Sequence, residues 1–131
     1  MQKDQGFRLL AEFKDNWLPD NGYINNGVGD YPRVEVYLSS GGQQIDKGDN
    51  SKPVDIVFDV ITENRNEGEA MLISEELQNK IIETPVIVPD FTVDMVIMTG
   101  TTPLTEENAD DQRTINRILI NYTYNLTQIN F

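Results

Sequence analysis

The chain has 131 residues, 22 acidic and 10 basic, for a net charge of −12 and a sequence pI near 4.2. It contains no His and no Cys, which excludes disulfides, thiolate or imidazole metal sites, cysteine nucleophiles and the Ser-His-Asp triad. So acidic a surface repels phosphate backbones and anionic membranes, so neither sequence-specific nucleic-acid binding nor membrane association is expected.

The length predicts one domain spanning 1–131. Met1 to Leu10 carries Lys3, Asp4 and Arg8 and no apolar run of signal length. No stretch approaches the roughly 20 apolar residues of a membrane span. Asn121-Tyr-Thr and Asn125-Leu-Thr match the glycosylation triplet, but without a secretory signal they read as chance occurrences on a strand. The acidity is localised: residues 53–111 hold 14 acids against Arg65 and Lys80.

In chain order, residues 4–18 are predicted as a helix. Asp4 would cap it, Phe7, Leu10, Ala11, Trp17 and Leu18 would face the core, and Pro19 would stop it. Gly, Asn and Pro punctuate 19–32 as a loop. Arg33–Leu38 reads as a strand with Val34, Val36 and Leu38 on one side, followed by a long polar loop at 39–53.

Val54–Thr62 is the clearest strand. Val54, Ile56, Phe58 and Val60 alternate with Asp55, Val57, Asp59 and Ile61. A helix over Glu67–Glu83 follows, with Asn64/Glu67 or Asn66/Glu69 as a capping-box-like start. Ala70, Ile73, Leu77 and Ile81 form its core stripe. Met71, Leu72 and Ile82 lie off that stripe and suggest a second contact surface.

Val86–Val88, between Pro85 and Pro89, reads as at best an edge piece. Val93–Thr99 alternates as a strand, 100–113 reads as a loop, and Thr114–Ile129 is a long last strand with Ile118, Ile120, Tyr122, Tyr124 and Leu126 on one side. The fold class is therefore α+β: a mainly antiparallel sheet of about four strands, one main helix packed on it, and an N-terminal helix.

The carboxylate pairs Asp46/Asp49, Asp90/Asp94, Glu106/Glu107 and Asp110/Asp111 show no spacing that implies an acid–base site, and Asp46-Lys-Gly-Asp-Asn lacks an EF-hand ligand ladder. Gly27-Val-Gly29 is no phosphate loop. No catalytic residue, cofactor site or metal site is expected, and the chain does not read as an enzyme.

Pro32-Arg-Val-Glu-Val-Tyr37, Val54-Asp-Ile-Val-Phe-Asp-Val60, the helix opening at Glu67-Gly-Glu-Ala-Met71 and the closing Arg113-Thr-Ile-Asn-Arg-Ile-Leu-Ile-Asn-Tyr-Thr-Tyr124 together have a familiar layout. Over residues 5–127 it resembles the tail terminator and tail completion proteins of tailed bacteriophages and their head–tail neck relatives. The match is one of element order, without a diagnostic motif. The longer 39–53 loop and the strong acidity depart from the usual pattern.

The resemblance implies a structural virion protein forming a homo-oligomeric ring, a hexamer or alternatively a dodecamer, at the head–tail junction. It would assemble in the host cytoplasm, contact the connector or portal-side protein and the tail-tube protein, and let DNA pass without specific binding. A head-to-tail ring needs two different faces per subunit. Met71, Leu72 and Ile82 would supply one. The 39–53 and 100–113 loops, the latter with Leu104, Glu106, Glu107, Asp110 and Asp111, would be the assembly-making tips. The acidic 53–111 segment would suit a lumen wall. The alternatives are an acidic DNA mimic that inhibits a nucleic-acid enzyme, and a soluble α+β binding domain of another kind.

Overall fold

In the computed structural model, the described residues are 5–23, 32–39, 51–63, 67–108 and 113–129. The expected caps at Asp4, Asn64 and Asn66, the middle of the 39–53 loop, and Asp110 and Asp111 lie outside them. Four strands, β1 (Arg33–Leu38), β2 (Ser51–Glu63), β3 (Phe91–Asn108) and β4 (Arg113–Gln128), form one antiparallel sheet in the order β1-β2-β4-β3. The last strand in sequence thus enters the middle of the sheet, between β2 and β3. With the helices below, the architecture is α+β.

Alternation along β2 and β4 builds the core face. Val54, Ile56, Phe58 and Val60 lie beside Ile118, Ile120, Tyr122, Tyr124 and Leu126, all buried. The helix α3 (Glu67–Glu83) covers this face with Ala70, Leu77 and Ile81. Ile73 packs against the same core partly buried. Tyr122 and Tyr124 are thereby core residues.

The N-terminal helical run reaches beyond the expected stop. It comprises α1 (Gln5–Glu12), a π-helical turn (Phe13–Trp17) and α2 (Leu18–Asp20). Pro19 sits in the first turn of α2, where a missing N–H costs nothing. The run ends with the Tyr23 N–H bonded to Leu18 O at 2.9 Å and the Gly22 N–H to Pro19 O at 3.1 Å. Gly22 adopts φ 87°, the left-handed conformation that suits glycine at a helix end.

The core side of this run differs from the expected one. Leu9, Phe13, Trp17 and Leu18 are buried and Leu10 is partly buried, whereas Phe7 is 63% exposed and Ala11 is exposed. Leu9, Phe13 and Trp17 share one side at spacings of four, and Leu18 joins them through the widened turn, in which the Leu18 N–H bonds to Phe13 O, five residues back. That extra residue brings Leu18 to the sheet beside Phe13 and Trp17. Phe13 becomes an aromatic hub, edge-on to Trp17 at 5.4 Å, Phe58 at 4.9 Å and Tyr124 at 5.5 Å between centroids.

Two loops need correction. Residues 100–108 are not a loop: β3 runs through them and pairs with β4 from Gly100↔Asn121 to Asn108↔Arg113. Gly100 and Pro103 suggested a loop, yet each fits an edge strand. Gly100 adjoins a register shift after Met98, and an edge proline needs no ladder hydrogen bond on its open side. Thr101, Thr102 and Thr105 supply the β-branched character. Likewise β2 begins at Ser51, shortening the 39–53 loop. Val86–Val88 is not a strand; Val86 and Val88 are buried and Ile87 points outward.

Candidate assembly surfaces

α3 presents two unlike sides. Its inner side carries Ala70, Leu77 and Ile81 into the core. Its outer side exposes Met71 (54%), Leu72 (69%) and Ile82 (77%), interleaved with exposed Glu75, Glu76 and Glu83. Lys80, the only base on α3, sits beside Glu76 at 3.3 Å. It also donates to Asn21 O at 3.1 Å and lies 5.1 Å from the Tyr23 ring centre. Tyr23 in turn donates to Glu76 Oε1 at 3.3 Å and stacks on Trp17, whose indole N–H donates to Thr84 O at 2.7 Å. This clasp ties the end of the N-terminal helical run to α3. Burial and the adjacent Glu76 carboxylate push the Tyr23 phenol above its ordinary range.

β3 forms one edge of the sheet. Two register shifts, between Val93 and Met95 and between Met98 and Gly100, break its alternation. Between the shifts the pairing is regular, so Val96 and Met98 share the side of Tyr124 and Tyr122 while Ile97 shares that of Thr123. All three are about half exposed at this sheet edge, and Leu104, opposite Arg117, is exposed farther along. Glu106 and Glu107 stand in register with Ile115 and Thr114 near the end of the hairpin. The structure therefore places Met71 and Leu72 near the start of α3 and Ile82 near its end, and Leu104, Glu106 and Glu107 on a separate element.

The sheet face opposite the core is mixed, with Asp55, Asp59, Arg117 and Thr123 beside buried Val57 and Ile61, as alternation along β2 and β4 indicated. Asp59 is only 1% exposed there. Arg117 forms an ion pair with it, Nη2 to Oδ2, and donates from Nε to Oδ1 at 3.3 Å. Nearby Asp55 accepts a 2.6 Å bond from the Thr123 hydroxyl. Alternation of acids with Val57 and Ile61 was the available signal; the arginine partner comes from 58 residues away. Tyr37 shares this face, and burial followed by the Asp59 charge raises its pKa.

An open depression of about 380 Å³ is lined here by Ser39, Asp55, Thr99, Asn121 and Thr123, among others. Among the described residues its lining offers a single carboxylate, Asp55. Among the described residues no group of three or more Asp or Glu side chains could hold a metal ion. None of the helices there is long and apolar enough to cross a membrane.

The acids of 53–111 do not form one wall. Those exposed on α3 lie on the helical side of the sheet, and Asp55 and Asp59 lie on the opposite side.

Fold and surface together define a small α+β unit with a buried core and, among the described residues, outward apolar side chains on α3, on β3 and at Phe7, Ile87 and Ile129. No protein-family model matches the chain, and no curated protein matches it either.

Proposed function

We propose that the chain is a structural virion protein of a tailed bacteriophage, a neck or tail-terminator subunit that forms a ring at the head–tail junction. The observation that carries this reading is the set of outward apolar side chains on two elements: Met71, Leu72 and Ile82 on α3, and, on edge strand β3, Val96 and Met98 on the helical side of the sheet with Ile97 and Leu104 on the other. Exposed large apolar side chains gathered on two elements suit interaction surfaces. Two dissimilar sites on one subunit suit a head-to-tail contact that closes into a ring, with further surface left for the proteins above and below. The element order adds the resemblance already described. The surplus of negative charge suits a conduit that lets DNA slide past without gripping it.

A DNA mimic would want its carboxylates along one face, and their division between two sides of the sheet favours the ring reading over it.

The test combines light scattering, negative-stain electron microscopy and a gene knockout. A ring with a central opening, and a knockout that yields unjoined heads and tails, are the expected results. A chain that stays monomeric at high concentration, from a gene whose loss leaves particles normal, overturns the proposal.

A further inference from the structure

The outer side of α3 has a complement on the same chain. Phe7, Ala11 and Lys14 are all exposed, at spacings of four and then three residues along the N-terminal helical run. On α3, Glu75, Gln78 and Ile82 follow at three and then four. Laid antiparallel, the two series coincide. With Lys14 over Glu75, Ala11 falls over Gln78 and Phe7 over Ile82, because α1 and α3 advance about 1.5 Å per residue and Lys14 is only the second residue of the π-helical turn that continues α1. The basic residue meets the acid, the large apolar residues meet each other, and alanine at the crossing lets the helices approach closely.

Position on the sheet fits as well. α1 packs over β1 and β2, and α3 packs over β2 and β4, so the two helices sit toward different flanks of the helical layer. We propose that α1 and its π-helical turn in one subunit pack antiparallel against α3 of the next copy of this chain, through these three residue pairs. The inference rests on the ring reading and specifies one of its contacts. A symmetric contact of α3 with α3 is disfavoured, because it would bring together two helices that each expose Glu75, Glu76 and Glu83 with Lys80 as their only base.

The chain has no cysteine, so Ala11→Cys and Gln78→Cys introduce the only thiols, both at positions outside the buried core. The two single variants are mixed and treated with a short bis-maleimide, and each is also treated alone. The contact predicts a covalent dimer from the mixture and not from either variant alone. The double variant should give a ladder that ends in one closed species. Lys14→Glu should weaken association about tenfold, and adding Glu75→Lys to the same chain should restore it. Circular dichroism checks that every variant is folded.

Oligomers in light scattering without the mixed cross-link, or charge reversal without rescue, overturn the helix contact and leave the ring reading standing. A cross-linked species that closes at two subunits supports the contact and removes the ring. Monomers at every concentration, with no cross-link, remove both.

Discussion

Asp59, buried, and Arg117, part-buried, form an ion pair on neighbouring central strands, on the sheet face away from the core. Asp59 lies in β2 in register with Leu119, and Arg117 lies opposite Ile61, so the guanidinium reaches diagonally across the ladder. A carboxylate so little exposed is tolerable only when paired and hydrogen-bonded. Arg117→Met should therefore cost about 3–5 kcal/mol, since it strands the Asp59 charge. Asp59→Val in the same chain should recover most of that loss, because an apolar pair needs no compensation. Urea denaturation of the two single variants and the double variant measures the coupling. A double variant as unstable as the sum of the singles would show that the pair is not the unit that matters.

The aromatic hub gives a second contrast. Phe58 is fully buried, 4.9 Å from Phe13, while Phe7 faces outward. Phe58→Ala should cost about 3–5 kcal/mol. Phe7→Ala should stay within about 0.5 kcal/mol for the isolated subunit, as surface changes do. Equal losses would return Phe7 to the core side of its helix.

Alkaline pH should unfold the chain. The pKa values of Tyr23, Tyr37, Tyr122 and Tyr124 are all raised above the ordinary 10.0, with burial the first cause in each. In the unfolded chain these phenols ionise near pH 10, before the folded ones do. Above that pH the unfolded state binds fewer protons, and stability falls as pH rises. The contribution is complete below pH 10 and is lost through the folded-state values. Phenolate absorbance and far-UV circular dichroism should change together above pH 10. Phenolate formation near pH 10 with an unchanged fold would show these side chains to be solvated.

The stretch 100–108 should behave as a strand. Backbone amides of β3 that face β4 should exchange slowly in hydrogen–deuterium experiments, alternating with faster ones on the open edge. Removing 102–110 and closing with Asn-Gly should destabilise the subunit, because it deletes the ladder from Thr102↔Leu119 to Asn108↔Arg113. An unchanged denaturant midpoint for that deletion would show that the outer hairpin contributes nothing to the fold.

What the sequence by itself determined was local and periodic. Alternation over Val54–Val60 marked the core face of β2, and the spacing of Ala70, Ile73, Leu77 and Ile81 placed α3 at Glu67–Glu83. The order of the elements pointed to α+β, and composition excluded a histidine or cysteine site. The outward Met71, Leu72 and Ile82 were also legible, because a helix on a sheet needs only one apolar side.

Tertiary structure decided the rest. Two apolar stripes competed at helical spacing, Phe7/Leu10/Ala11 and Leu9/Leu10/Phe13/Trp17, and the sheet selected the second; the π-helical turn, which adds Leu18 to it, was invisible to a count at 3.6 residues per turn. Gly100 and Pro103 spoke for a loop until β4 offered a partner ladder and an open edge. The insertion of β4 between β2 and β3 depends on pairing between residues far apart in sequence, and the burial of Asp59 depends on an arginine 58 residues away. A local window reports what one segment would bury if given a surface, and only the folded chain says which surface it meets.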